Sequence, residues 1–225
     1  MWGGLVHCGK CNALHHGFTC TVCGHKPDVE PHMMVIDGVR VPSYIQAGAV
    51  PYSVFVLLDL IRFECERPPT VPASGRAHPA SERLVIVILF WTLIEGLMER
   101  FYTAAFADLP GELAQELLQR FPSIGGRLDR LYRRRWGMTF WDDLTEAGYP
   151  DAAKHLRAVQ AARNAFVHGN PKAIDDALVQ VTLDQLRNTQ LGWIAVFNRR
   201  CSGMTKKVPL YDGDMALMLK KPGEV

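Results

Sequence analysis

The sequence predicts a mainly α-helical protein, in which a helical bundle follows a small cysteine-rich module. Of the 225 residues, 48% are hydrophobic and 21% are charged, which is typical of a globular protein. Residues 1–26 concentrate cysteine, histidine and glycine and show no apolar periodicity. From Pro51 onward, apolar residues recur with the spacing of an α-helix, so we expect a chain of two parts.

The first predicted element is a metal-binding module. Cys8 and Cys11 form one Cys-x2-Cys pair, Cys20 and Cys23 form a second, and eight residues separate the two pairs. A two-residue gap lets both thiolates of a pair reach one tetrahedral ion at about 2.3 Å. Four thiolates close the coordination shell, so we predict a structural Zn²⁺ and no metal in catalysis. An iron–sulfur cluster is the alternative, because four cysteines also suit iron.

A short hairpin is predicted after the module. Asp37-Gly38 lies between the strand-like segments 33–36 and 39–41, which is typical of a tight β-turn. The hairpin belongs either to the metal module or to a linker before the helices. The predicted boundaries are 1–48 for a zinc ribbon with this hairpin or linker, 49–201 for the helical domain and 202–225 for a tail.

Helical patterns account for most of the remaining chain. Ser81 is an expected N-cap, and Asn170-Pro171 is an expected start of the last helix. The Pro-, Ala- and Ser-rich segment 67–80 is an expected mobile loop. The expected helices span 51–66, 81–107, 111–121, 125–136, 139–147, 150–168 and 171–200.

Composition restricts the class of protein. The apolar stretches 50–61 and 84–94 fall short of the ~20 residues that a spanning helix needs, so we expect buried core helices and no membrane partner. Six cysteines in a chain of this length are not typical of a secreted disulfide scaffold, and no leader pattern opens the sequence. We therefore expect a cytoplasmic protein. A net charge of +2 neither requires nor excludes a nucleic-acid partner.

The segment from Arg163 to Pro171 carries the most chemical information. Its sequence closes a helix, because Gly169 suits the left-handed position after a helix end and Pro171 prevents continuation. Asn164 and His168 lie four residues apart and share a helix face, and Arg163 can reach the same region. A cation, an amide and an imidazole together suit phosphodiester chemistry, in which Arg stabilises the anionic transition state and His moves a proton.

An Arg-Asn-x3-His motif inside a helical domain resembles the Arg-x4–6-His motif of HEPN domains. The resemblance covers about residues 50–200, and the apolar segment Trp91–Leu97 is similar to an early HEPN helix that often carries an acidic residue. It implies a helical bundle that forms a homodimer with two motifs facing each other. Active HEPN proteins are metal-independent endoribonucleases that leave 2′,3′-cyclic phosphate ends. Their usual setting implies a toxin or an antiviral defence effector.

The resemblance also implies a role for individual residues. Arg163 would stabilise the phosphate, His168 would act as general base or acid, and Asn164 would position the scissile group. Glu95 corresponds to the acidic residue of the early helix, and a partly buried carboxylate there would pair with a cation such as Arg163. Asn170 stands where the HEPN partners of nucleotidyltransferases carry a nucleotide-accepting Tyr, which argues against that variant.

A second candidate site is an arginine-rich segment. Arg133, Arg134 and Arg135 follow one another, and Tyr132 and Trp136 flank them. Such a segment can bind the RNA backbone while its aromatic residues stack on bases. The alternative is a solvated basic face whose aromatic residues belong to the core.

Two rival functions stay open at this stage. The bundle could be catalytically inactive and serve as a scaffold, with the zinc module recruiting a protein partner or a nucleic acid. The chain could also belong to a toxin–antitoxin pair, either as a toxin with a cognate antitoxin or as a regulator bound to a separate toxin.

Overall fold

The computed structural model describes residues 5–17, 19–26, 32–36, 39–43, 52–68 and 80–202. It confirms a mainly helical protein with a cysteine cluster near the N-terminus. The first two strands, β1 (Leu5–His7) and β2 (Leu14–His16), pair antiparallel, with Val6 opposite His15. The loop between them and the turn after β2 carry the four cysteines of the predicted quartet.

The predicted hairpin is confirmed. Strands β3 (His32–Ile36) and β4 (Val39–Ser43) pair antiparallel, and Ile36 lies opposite Val39. This register leaves the two positions of the predicted Asp-Gly turn between the strands, as a two-residue hairpin requires. The turn itself, most of the predicted mobile loop and nearly all of the predicted tail lie outside the described residues.

Helix α2 is the centre of the bundle. The helices are α1 (Tyr52–Glu66), α2 (Val85–Ala105), α3 (Gly111–Arg120), α4 (Ile124–Gly126), α5 (Tyr132–Trp136), α6 (Phe140–Glu146), α7 (Pro150–Val167) and α8 (Asp176–Cys201). Helix α2 packs against α1, α7 and α8, and more than half of its residues are buried. Its almost uninterrupted apolar sequence is therefore explained by contact with several neighbours. Across the described ranges, no helix has the length and apolar character needed to cross a bilayer.

Two predicted helix starts are wrong by about one turn. The Ser81 hydroxyl accepts a hydrogen bond from the Arg83 amide at 3.1 Å, but this closes a turn and α2 begins only at Val85. Asn170 does accept from the Lys172 amide, yet only a short 3-10 turn follows. Helix α8 begins at Asp176 because Asp175 is its N-cap, accepting from the Leu178 amide at 2.8 Å.

The predicted single helix 125–136 is divided into three parts. Between α4 and α5 lies a π-helical turn, Arg127–Leu131, in which the Tyr132 amide donates to the Arg127 carbonyl. The extra residue of a π turn redirects the backbone, and the Tyr102 hydroxyl donates to the same Arg127 carbonyl at 2.6 Å. The spacing of apolar residues could not indicate this turn, because the hydrogen bond that accompanies it comes from another helix.

A buried histidine lies where α7 meets α2. His155 is 5% exposed, its ring packs 5.6 Å from that of Phe90, and neither ring nitrogen has a hydrogen-bond partner among the described residues. Burial lowers the pKa of His155 from 6.5 to about 4. The folded protein therefore holds a neutral imidazole that the unfolded chain protonates in mild acid.

We expect this histidine to make stability depend on pH. Because its pKa is lower in the folded state, the unfolded state binds more protons between pH 6.5 and about 4, and stability falls as the pH falls through that range. The free energy of unfolding should fall by about 3 kcal/mol across this range, because each unit of pKa difference is worth about 1.36 kcal/mol. Urea unfolding of the wild type and of His155→Leu across this range measures it. Equal pH slopes in the two proteins would contradict the assignment.

Candidate metal centre and active-site cleft

The four predicted metal ligands lie together. The sulfur atoms of Cys8, Cys11, Cys20 and Cys23 are all within 4.8 Å of one another. Sγ of Cys8 is 3.5 Å from Sγ of Cys23, and Sγ of Cys11 is 3.7 Å from Sγ of Cys20. Tetrahedral bonds of ~2.3 Å place sulfur atoms about 3.8 Å apart. The cluster is therefore close enough, and of the right shape, to bind one metal ion.

The two cysteine pairs have nearly the same backbone geometry. In each pair, the first cysteine's carbonyl accepts from the amide four residues later, Asn12 at 3.0 Å and Gly24 at 2.9 Å. Asn12 and Gly24 also share a positive φ, 61° and 70°. A left-handed residue right after the second cysteine turns the chain away from the ligands, which explains an asparagine and a glycine there. Sequence inspection missed the role of Asn12.

Backbone amides stabilise negative charge on the first thiol. The amides of Lys10 and Cys11 point at Sγ of Cys8, at 3.4 and 3.5 Å. Burial raises the pKa of the Cys8 thiol, but these amides and the neighbouring thiols lower it to about 7 overall. Metal ligation requires the thiolate, so this environment suits a metal ligand. The shift is opposite for the second thiol, because burial and the neighbouring thiols raise the pKa of Cys11 to about 12, as burial does for the isolated Cys201.

The metal module is attached to the last helix. The Asn198 side chain bonds both backbone groups of Leu14, accepting from its amide at 2.6 Å and donating to its carbonyl at 2.8 Å. The His7 ring packs 5.9 Å from that of Phe197, and Leu5 and Leu14 are buried in the main hydrophobic core. The module is therefore held on α8 by a two-point hydrogen bond and an apolar contact.

The candidate active site is a polar cleft of about 450 Å³. It combines side chains from α2 and α7 with the turn before α4. Three of the four predicted catalytic residues lie on its wall: Glu95, Arg163 and Asn164. Its other lining residues are Glu99, Pro122, Ser123, Ile124, Gly125, Arg127 and Gln160.

Donors of the protein already bind both carboxylates of the cleft. Glu95 accepts from the Trp91 indole nitrogen at 2.8 Å, and Glu99 forms an ion pair with Arg127. The expected pairing of Glu95 with Arg163 is therefore not observed, since the described residues contain no ion pair between them. The indole satisfies the carboxylate from within α2, one turn away.

Arg163 is half-buried and uncommitted. Among the described residues, its guanidinium donates only to the side-chain oxygen of the neighbouring Asn164, at 3.2 Å. His168 is the C-cap of α7, as predicted, and Gly169 follows with a φ of 95°. However, His168 is exposed and does not line the cleft. A single chain therefore brings Arg163, Asn164 and Glu95 into one cleft. The imidazole of His168 lies outside it, at the C-terminal end of α7.

Gln160 is a cleft residue that the sequence analysis did not single out. A Cβ on Gly125 would lie 2.7 Å from the Gln160 amide nitrogen, so any larger residue there would displace the end of the Gln160 side chain. The signal was present, because Gln160 is four residues before Asn164 and shares its helix face. Arg127, the first residue of the π turn, also lines the cleft.

The arginine-rich segment separates into exposed cations and core aromatics. Arg133, Arg134 and Arg135 are exposed, and in the described chain none forms an ion pair with an acid. Tyr132 is fully buried, and Trp136 packs against it with ring centroids 4.3 Å apart. Tyr132 is therefore a core residue that cannot stack on a base. This agrees with the alternative of a solvated basic face whose aromatic residues belong to the core.

Comparison with known proteins gives no match: no family model, no curated protein and no solved structure is similar to this chain.

Proposed function

We propose that this protein is a metal-independent endoribonuclease of the HEPN type that acts as a homodimer. The proposal rests on one observation: Arg163 and Asn164 of α7 line the same polar cleft as Glu95 of α2. The exposed position of His168 at the adjoining helix end fits a group that acts on RNA held between two protomers. A toxin or antiviral defence effector is the corresponding biological role.

In the proposed reaction, the 2′-hydroxyl of RNA attacks the adjacent phosphorus. The P–O5′ bond breaks, the 2′-hydroxyl proton passes to a base, and the departing 5′ oxygen receives a proton. The products are a 2′,3′-cyclic phosphate and a 5′-hydroxyl. His168 transfers these protons, Arg163 stabilises the negative charge that develops on the phosphoryl oxygens, and Asn164 positions the phosphate. Glu95, held by the Trp91 indole, shapes the wall of the cleft.

We further propose that the cysteine module binds Zn²⁺ as a structural ion. Four thiolates leave no coordination position for water, so the ion stabilises the fold and takes no part in cleavage. The module is held on α8, where it could contact RNA or a protein partner. Because four thiolates also bind iron, visible absorption and elemental analysis of the purified protein distinguish the two metals.

The test is RNA cleavage by variants of the two motif residues. We expect Arg163→Ala and His168→Ala each to lower the cleavage rate by about 100-fold or more, the usual effect of removing a charge-stabilising or proton-transferring group. The assay contains EDTA, added just before the RNA, and the retained zinc is measured afterwards. End-group analysis should find cyclic phosphates.

A matched control is Arg187→Ala, because Arg187 is an exposed arginine of α8 outside the cleft. It should cleave like the wild type. Thermal unfolding of all three variants checks that they are folded. Full activity in Arg163→Ala or His168→Ala would refute the catalytic assignment.

Two observations favour a second candidate, an inactive scaffold or regulatory protein with the same fold. His168 does not line the cleft, and both acids of the cleft are bound to protein donors. Such a protein would bind RNA, a protein partner or a cognate toxin without cleaving RNA. Binding of RNA with no cleavage by the wild type, over a wide range of substrates, would support it.

A further inference from the structure

We propose that a second cavity beside the cleft binds the phosphate backbone of single-stranded RNA several ångströms from the scissile bond. This inference rests on the proposed ribonuclease function and names a further part of its substrate site. The cavity is about 270 Å³ in volume and lies where α6 meets the first half of α7. It is lined by Trp141, Asp142, Thr145, Pro150, Ala153, Lys154 and Arg157.

Both cavities lie along one face of α7. Ala153 and Arg157 line the second cavity, and Gln160 and Asn164 line the first. Steps of four, three and four residues return to the same side of an α-helix. At 1.5 Å per residue, Arg157 and Asn164 are separated by about 10 Å along the helix axis. A single strand crossing this face can therefore occupy both cavities at once.

Four acidic residues near the two cavities accept hydrogen bonds or an ion pair from the protein itself. Asp142 caps α6, accepting from the Thr139 amide at 3.0 Å and from its hydroxyl at 2.6 Å. Asp129, on the π turn beside α7, accepts from the Trp141 indole nitrogen at 2.7 Å. The two carboxylates of the first cleft are likewise bound, one to Trp91 and one to Arg127.

Three cations on this face belong to none of the ion pairs among the described residues. Lys154, Arg157 and Arg163 form no ion pair with any acid that the structure describes. Arg157 instead lies over the Trp141 ring, 5.7 Å from its centroid, and after the hydrogen bonds from Thr139 its charge also contributes to the lowered pKa of Asp142. Two cations and one carboxylate line the second cavity, and Arg163 of the first cleft belongs to no described ion pair, so the face favours an anion long enough to reach both cavities.

A single strand fits this arrangement better than a duplex. Two separate concave sites on one helix face hold successive phosphates of a flexible chain, whereas a duplex is stiff and would rest on the rims. Trp141 is only 3% exposed, so the second cavity offers no base stacking and should bind without sequence preference.

The experiment measures binding of an RNA that cannot be cleaved. The probe is a fluorescent 2′-O-methyl oligouridylate of about twelve nucleotides, within the range of single-strand sites. We expect Lys154→Gln combined with Arg157→Gln to weaken its binding about tenfold. The salt dependence, log K against log[salt], should become shallower by about 1.4, which is 0.7 for each lost phosphate contact. A dinucleotide, too short to span both cavities, should bind the wild type much more weakly than the twelve-nucleotide probe does.

The matched control combines Arg62→Gln with Arg187→Gln, which removes the same charge from exposed positions on α1 and α8. Unchanged affinity and salt slope in Lys154→Gln/Arg157→Gln, or an equal loss in the control, would overturn this inference and leave the ribonuclease proposal standing. The expected losses without any cleavage by the wild type would support the second site and overturn the ribonuclease. No binding of RNA by the wild type would overturn both.

Discussion

Loss of one cysteine ligand should unfold the N-terminal module and leave the helices largely intact. In Cys20→Ser the bound zinc should disappear, because a closed four-thiolate site loses its shell with any ligand. Zinc binding by small four-ligand modules is worth about 10–16 kcal/mol, and most of this is folding free energy. The module itself is small: only Cys8, Ala13 and Cys20 are buried in the core around the sulfur atoms. Leu5 and Leu14 pack in the main core, but the turns that carry the cysteines have little besides the ion to stabilise them.

Two measurements check this result. Elemental analysis should find one zinc per wild-type chain and none in Cys20→Ser. Hydrogen exchange should show lost protection in residues 5–26, while far-UV circular dichroism changes little. Cys65→Ser is the control, since Cys65 is a half-buried cysteine of α1 outside the cluster. Retained protection of residues 5–26 in a zinc-free Cys20→Ser protein would show that the module folds without metal.

The second large effect should come from a fully buried carboxylate, Asp143. It is 0% exposed, forms an ion pair with Arg200 and accepts a hydrogen bond from the Tyr132 hydroxyl. Arg199 completes the network with Nη1 3.0 Å from the Asp143 carboxylate. These residues belong to α5, α6 and α8, so one carboxylate joins three helices. Replacing it leaves Arg200, whose side chain is only 17% exposed, without its counter-charge.

We expect Asp143→Ala to lower the free energy of unfolding by about 3–5 kcal/mol, the usual cost of removing one partner of a buried ion pair. For a chain of this size the melting temperature should fall by about 10 °C. Urea unfolding and calorimetry measure both values.

The control for this variant is Glu146→Gln, in the same helix. Glu146 also pairs with Arg199, at 2.7 Å, but its side chain is 48% exposed. A pair this accessible to solvent contributes ~1 kcal/mol or less. If Asp143→Ala and Glu146→Gln had similar effects, the buried network would not be the stabilising feature that the geometry indicates.

Local patterns predicted much of the fold. The helix over 150–168 followed from a proline at its start and a glycine after its end, and the structure places α7 at Pro150–Val167. The start predicted at Asn170 failed because a second capping group lies one turn later. Asn170-Pro171 has the sequence of a helix start, but Asp175 caps α8 one turn later because the Ser81 amide bonds the intervening Ile174 carbonyl.

The candidate cleft was only partly predictable. Arg163 and Asn164 are neighbours in the chain, so their joint position followed from the sequence. Gln160 and Arg127 entered the cleft through two features of packing: the close approach of Gly125 and the π turn. The four-residue spacing from Asn164 could have indicated Gln160, but no spacing of residues indicates the π turn that contains Arg127.

The sequence by itself determined the cluster of four cysteines, the helical class and the chemical character of the α7 end. These features depend on residues within about one or two helical turns or one loop of each other, where backbone geometry fixes which side chains meet. Only the tertiary structure decided that Glu95 is held by Trp91, that His168 stays outside the cleft, and that Asp143 joins three helices. Those contacts depend on how the helices pack, and apolar packing determines which polar side chains are brought into contact.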